Sequence, residues 1–181
     1  MMMMSNYELP LRFLMVGGEK LTGFHIPPSV KLYNCYGPTE FTVCSAFHQV
    51  DRLRTYDNIP IGRPVPNTVS AVVDEKGHLL PRGIAGELCL IGRQMAQGYW
   101  NRPELTVESF TDCPFIAGEK MYHTRDLVRW NNEGELEYLG RMDSQLKIRG
   151  YRIELGEIEK KITEFPGVTS AAVITSRSEE R

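Results

Sequence analysis

Thr68-Val69-Ser70-Ala71-Val72-Val73 and Glu87-Leu88-Cys89-Leu90-Ile91, separated by Glu75-Lys76-Gly77 and Pro81-Arg82-Gly83, decide the fold of this chain. Short runs rich in β-branched and apolar residues, each stopped by a turn bearing glycine or proline, are the pattern of antiparallel β structure. Further on, residues 127–130 and 135–139 flank Asn131-Asn132-Glu133-Gly134, a hairpin signal. Residues 103–110 interrupt the strands with a short helix that tolerates Pro103 at its start. The stretch 61–142 is therefore expected to form a small barrel or a curled sheet.

Upstream, the apolar run 11–16 halted by Gly17-Gly18 predicts a buried strand that ends in a tight backbone turn. Residues 31–50 predict a second strand leading into Gly37-Pro38, with an apolar stretch resuming over 41–47. Downstream of Gly140, residues 145–148 and 151–153 surround Arg149-Gly150, and Leu155, Ile158, Ile162 and Phe165 recur at helical spacing. Pro166-Gly167 ends that helix, and residues 168–175 predict another strand. The change of pattern near Asp143 predicts two domains of mixed α+β class: residues 1–142, and a second over 143–181 that the chain leaves incomplete.

Composition removes several function classes. Lys and Arg total 21 against 23 for Asp and Glu, so no strong field favours nucleic acid or an anionic membrane surface. No apolar run reaches the roughly 18 residues of a membrane span, and Met1–Met4 followed by Ser5 lacks the features of a signal peptide. A soluble cytoplasmic protein is the expectation. Cys35, Cys44, Cys89 and Cys113 have no C-x-x-C spacing and no histidine in ligand register, so neither zinc nor a disulfide framework is indicated. His25, His48, His78 and His123 read as surface or loop residues.

Gly17-Gly18-Glu19 and Asn34-Cys35-Tyr36-Gly37-Pro38-Thr39-Glu40 could each be no more than turns. They occur, however, in fixed order with Gly86-Glu87-Leu88, Gly98-Tyr99, Asn101-Arg102-Pro103-Glu104, Thr124-Arg125-Asp126, Gly140-Arg141-Met142-Asp143 and the segment 147–154. On these motifs, from about residue 11 onward, the chain resembles the adenylate-forming (AMP-binding) superfamily. The Tyr36–Glu40 and Asn101–Thr106 motifs look most like the amino-acid adenylation domains of nonribosomal peptide synthetases. The resemblance implies the β-rich C-terminal part of a large adenylation domain followed by the start of a small mobile domain.

The same resemblance implies a chemistry: ATP-dependent activation of an amino-acid carboxylate as aminoacyl-AMP, then transfer to the phosphopantetheine thiol of a carrier protein domain. Attack of a carboxylate on a phosphate joins two anions, so positioning and charge neutralisation carry the reaction. By resemblance, Thr39 hydrogen-bonds the α-phosphate and Glu40 holds Mg²⁺. Gly17, Gly18, Glu19 and Asn34 border the nucleotide, Gly37 lets the backbone come close, and Tyr36 stacks on adenine. Asp126 accepts both ribose hydroxyls, Tyr138 lines the nucleotide, and Arg141 reaches ribose and phosphate. Met15, Gly17, Cys35, Val43 and Cys44 fall at acyl-pocket positions, and their small, apolar character favours an uncharged side chain on the amino-acid substrate. Asp143 matches the hinge of the small domain, and Lys147, Arg149 and Gly150 lie on its thiol-transfer face, where an ordinary solvated strand is an equal reading for the two cations.

Three departures qualify the resemblance. Arg125 stands where the family shows glycine, predicting a strained turn and a misaimed Asp126. Neither a Gly/Ser/Thr-rich phosphate loop nor the family's C-terminal catalytic lysine is present, so the polypeptide alone is expected to form acyl-adenylate poorly or not at all. An acyl-CoA ligase, a D-alanine:carrier-protein ligase and a degenerate non-catalytic module remain as alternatives. Apolar surface over residues 11–47 further predicts self-association.

Overall fold

β-Branched and apolar runs set the architecture of the computed structural model, in which residues 11–143, 145–148 and 151–174 are described. They form two units, one ending at Met142 and the other starting at Asp143. The chain is β-rich and of mixed α+β class.

The first unit holds two sheets. In one, β1 (Phe13–Gly17), β2 (Lys31–Tyr36), β3 (Ala46–Gln49) and β4 (Arg63–Pro64) lie in that order, with β1 and β2 parallel and the remaining pairs antiparallel. In the other, β5 (Thr68–Val73), β6 (Gly86–Gly92), β8 (Lys120–Trp130) and β7 (Phe110–Asp112) are neighbours in that order, and β9 (Leu136–Arg141) also pairs with β8. A short helix, α1 (Pro103–Ser109), leads directly into β7. The eleven residues of β8 serve three partners: β7 binds its beginning, β9 its end, and β6 spans between.

Strand periodicity explains the core. On β6, Leu88 and Leu90 enter one buried cluster with Tyr36, Phe41, Val128 and Leu136, whereas Cys89 and Ile91 enter a second with Ala71, Val73 and Met121. Being buried on both faces, β6 reads as a continuous apolar run instead of an alternation. Each such aliphatic side chain contributes roughly 1.5–3 kcal/mol through burial. The first cluster draws on both sheets and thereby fixes β2 against β8.

β1 departs from expectation. No residue of this strand is buried, and Phe13 and Met15 are each more than half exposed. Among the described residues it pairs only with β2, whose inward positions Leu32, Asn34 and Tyr36 are buried while Tyr33 and Cys35 face the other way. His48 and His123 also depart: they lie within β3 and β8, and His48 is buried. In both cases the period-2 pattern places a polar residue on an inward face, where a partner satisfies it. Glu135 lies 3.1 Å from His48, and Glu87 lies 2.9 Å from His123.

The second unit contains the antiparallel pair β10 (Leu146–Ile148) and β11 (Tyr151–Ile153), followed by α2 (Leu155–Thr163). The helix stops short of Phe165 because the residue before Pro166 is disfavoured in helical backbone. The strand expected over 168–175 is not formed among its described residues, 168–174. The Val173 amide donates to Glu159 at 2.9 Å and the Val168 amide to the Phe165 carbonyl at 3.1 Å, but a strand needs a paired neighbour along its length, and none is formed among the described residues. Arg149 and Gly150 lie outside the described residues.

Candidate functional site

The C-terminal ends of the parallel strands β1 and β2 carry Gly17-Gly18 and Tyr36-Gly37, the place where open sheets with parallel strands present ligand-binding groups. A single 3₁₀ turn, Thr39–Phe41, follows β2. Alternation along β2 sends Tyr36 toward the core and Cys35 to the opposite face, beside its register partner Gly17. Met15 lies on that second face, two residues along β1. The expected nucleotide side and the expected acyl-pocket side are thus opposite faces of one strand end.

Gly17 and Gly37 serve close backbone approach. A Cβ at Gly17 would lie 2.4 Å from the Cys35 carbonyl oxygen, and one at Gly37 would lie 2.4 Å from that of Val43. At Gly37 the close neighbour is the chain's own returning backbone, which closes the turn through the Ser45 amide bonding the Tyr36 carbonyl at 2.7 Å. Gly18 adopts φ 89°, left-handed backbone suited to glycine. Near Cys35, burial and then the neighbouring Cys44 push its thiol pKa up to about 11, so Cys35 acts as a neutral, weakly polar group. Val43 is exposed.

Tyr36, Asp126 and Arg141 converge from three elements. The Tyr36 hydroxyl donates to Asp126 Oδ2, and Arg141 Nη1 donates to Asp126 Oδ1 at 2.9 Å and to the Thr124 carbonyl at 2.8 Å. Asp126 and Arg141 are register partners on β8 and β9, so the ion pair follows from strand pairing. Tyr138 stands on β9 with its ring centroid 6.5 Å from that of Tyr36. Burial first, then the Asp126 charge, raises the Tyr36 phenol well above its ordinary value, making it a lasting proton donor. Asp126 is only 3% exposed, unlike a strand-start surface aspartate.

The Arg125 substitution has a structural explanation. From Glu87 to Cys89, β6 advances two residues while its partner positions on β8 run from Leu127 to His123, so β8 carries the surplus as a bulge. Arg125 sits in that bulge at φ 58°, a conformation costing roughly 1–2 kcal/mol for a residue with a side chain. Offsetting contacts surround it. Its amide donates to Glu87 Oε1 at 3.0 Å, Nη2 donates to Glu108 at 2.8 Å, and its carbonyl accepts from the Met142 amide at 2.8 Å. The strain expected from sequence is present, yet Asp126 still reaches Tyr36 and Arg141.

Two supporting residues escaped the sequence reading. Tyr99 donates its hydroxyl to Glu40 Oε1 at 2.6 Å, orienting a carboxylate that is itself buried. Thr124 Oγ1 donates to the Leu88 carbonyl at 2.7 Å and accepts from the Asp126 amide at 3.0 Å, which locks the bulge. Both lie in quoted motifs, but Glu40 and Leu88, which they reach, are distant in sequence and no local pattern marks them. Thr39 is exposed at the start of the 3₁₀ turn, and Asn34 is buried, donating to the Pro60 carbonyl at 2.8 Å. Glu19 lies on the exposed loop after β1. In the second unit, Asp143 accepts from the Gln145 amide at 3.1 Å, and Lys147 lies on β10.

Residues 3–100 match the family described as "AMP-binding enzyme". The chain is 46% identical over 171 residues to surfactin synthase subunit 1 of Bacillus subtilis (strain 168), covering 91% of this chain and 5% of that protein. It is 47% identical over 185 residues to bacitracin synthase 1 of Bacillus licheniformis, covering 97% and 4%. Among solved structures, PA1221, an NRPS protein containing adenylation and PCP domains, superposes with a TM-score of 0.79 at 33% identity, covering 92% of this chain and 36% of that one. The chain therefore spans a small part of these curated relatives and about a third of that solved structure.

Proposed function

We propose, from the premise that this chain belongs to the AMP-binding enzyme family, that it is a segment of a ligase activating an amino-acid carboxylate as aminoacyl-AMP and passing it to a carrier-protein phosphopantetheine thiol. The observation that carries this reading is the meeting of Tyr36, Asp126 and Arg141 from β2, β8 and β9. An ionised carboxylate has about four acceptor positions, so Asp126 is chemically suited to both ribose hydroxyls. Arg141 has five donors in a fixed fork, enough to hold Asp126 and still address a phosphate. Tyr138 and the Gly17-Gly18-Glu19 backbone would border the nucleotide, and Thr39 would donate to the α-phosphate.

Glu40 fits Mg²⁺, which takes one or two carboxylates and fills its remaining positions with phosphate and water oxygens. The fit rests on a carboxylate already oriented by Tyr99. Bound there, Mg²⁺ would neutralise charge on the triphosphate. Asp143, at the junction of the two units, would be the hinge, with Lys147, Arg149 and Gly150 on the thiol-transfer face. Among the described residues no helix is long and apolar enough to cross a membrane, and the four cysteines are free. Free thiols suit the cytoplasm.

The test is ATP–pyrophosphate exchange by the full-length protein across amino-acid and fatty-acid panels, followed by thioester formation on a carrier protein. We expect exchange driven by an amino acid with an uncharged side chain, and an Asp143→Pro variant that retains exchange while losing thioester formation. Exchange driven only by fatty acids would replace the substrate class, and none with any acid would leave a non-catalytic binding module.

The exposed face of β1 carries Phe13 and Met15, and Phe47 on β3 extends it. Apolar patches of this kind drive association. Sedimentation of the chain is expected to show concentration-dependent self-association; a single monomeric species at high concentration would contradict it.

A further inference from the structure

We propose that Glu87, Cys89 and His123 form a binding site for one Zn²⁺ ion, separate from the Glu40 turn. Pairing of β6 with β8 sets Cys89 opposite His123, and Glu87, two residues away on β6, shares the face of Cys89. Their donor atoms all lie within 4.8 Å of one another. Glu87 Oε2 is 2.9 Å and Cys89 Sγ 3.5 Å from His123 Nδ1. A tetrahedral zinc site has ligand-to-ligand edges of about 3.3–3.6 Å, given its N, O and S bond lengths. The Cys89–His123 edge already fits, and the Glu87–His123 edge needs to open by only a few tenths of an ångström.

The surroundings match a metal site more fully than an ion pair requires. Thr111 Oγ1 lies 3.0 Å from His123 Nε2 and fixes the far side of the ring, the orienting contact common behind metal-bound imidazole. Glu87 divides its labour, with Oε1 on the Arg125 amide and Oε2 turned to His123. Burial pushes the Glu87 carboxyl upward, but the His123 and Arg125 contacts outweigh it and leave the group below its ordinary value, hence ionised. Cys89 is fully buried, and burial followed by the Glu87 charge drives its thiol pKa upward. Zinc would take the thiolate, with the thiol proton released to solvent, and the Nδ1 lone pair of the neutral imidazole tautomer whose Nε2–H donates to Thr111 Oγ1.

Entry and selectivity also follow from position. Of the three donors, His123 lines an open cleft of about 690 Å³ bordered by His78, Leu79, Asp112 and Phe115, and the ion would enter from that side. Sulfur and imidazole donors favour Zn²⁺, whereas Mg²⁺ prefers oxygen alone. The cation beside the cluster, Arg125, with Nε at 4.0 Å from Glu87 Oε1, faces the carboxylate oxygen not assigned to the metal.

The test is titration of the chelator-treated chain with Co²⁺ as a spectroscopic probe, then displacement by Zn²⁺. We expect one equivalent of Co²⁺ with a thiolate-to-cobalt charge-transfer band, loss of the band in Cys89→Ser, and at least tenfold weaker Zn²⁺ binding in His123→Gln. Circular dichroism checks folding, and His123→Gln, at a half-buried strand position, decides the matter if Cys89→Ser fails to fold. Absence of the band in the parent chain, or Zn²⁺ binding unchanged in His123→Gln, would overturn the site. Binding lost only in Cys44→Ser would move the metal to the Cys35–Cys44 thiols and equally overturn it.

Discussion

Asp126→Asn is expected to lower the unfolding free energy of the chain by about 3–5 kcal/mol, the range for removing one member of a buried ion pair. The Arg141 side chain is 15% exposed and the Asp126 side chain 5%, so the guanidinium would remain largely desolvated with its counter-charge gone. The Tyr36 hydroxyl would lose an ionised acceptor as well, and hydrogen bonds to charged groups are worth roughly 1.5–3 kcal/mol. Because these losses share one carboxylate, they do not add. Arg141→Met alone should cost less, and combining the two changes should recover at least about 1 kcal/mol relative to the sum of the single effects. Denaturant unfolding of the four species measures the coupling. A loss under about 1 kcal/mol for Asp126→Asn would show that the three groups are not a unit, and AMP binding by the same variants would report whether the unit serves the nucleotide.

The residues of this site were legible in the sequence, but their mutual contacts were not. Motif order named Tyr36, Asp126, Tyr138 and Arg141, and hairpin chemistry at residues 131–134 already implied that β8 and β9 pair. That pairing alone brings Asp126 opposite Arg141. The bulge that carries Arg125 could not be read, because it arises from a register shift against β6, far upstream in the chain; only the substitution itself hinted at left-handed backbone. Cys89 and His123 escaped for the same reason. Ligand spacing along one strand says nothing of two strands whose register brings single donors together, so the lack of a histidine in sequence register with a cysteine gave no sign of the 3.5 Å approach of Cys89 to His123. The strand expected at residues 168–175 failed differently over its described part, 168–174: its β-branched composition is a local preference, and among the described residues no strand pairs with it.

Gly37→Ala is expected to cost about 3 kcal/mol or more and to disrupt the Thr39–Glu40 turn, although the change adds one methyl group. That methyl would sit 2.4 Å from the Val43 carbonyl oxygen, 2.6 Å from its carbon and 2.8 Å from the Ser45 nitrogen. All three are backbone atoms, so no rotamer change relieves the clash and the hairpin from Tyr36 to Ser45 must open. Two residues in it, Thr42 at φ 52° and Val43 at φ 65°, already hold left-handed backbone, leaving little further freedom to absorb the displacement. Opening would break the 2.7 Å bond between Ser45 and Tyr36 and move Phe41, which is fully buried. Glu40 would then leave the Tyr99 hydroxyl that orients it, so the Mg²⁺ binding proposed at Glu40 should fall together with stability. Gly23→Ala supplies the control, since a Cβ there meets no atom within 4 Å, and surface changes of that kind stay within about 0.5 kcal/mol. Equal denaturation midpoints for the two variants would mean that the turn yields easily and that Gly37 is not what shapes it.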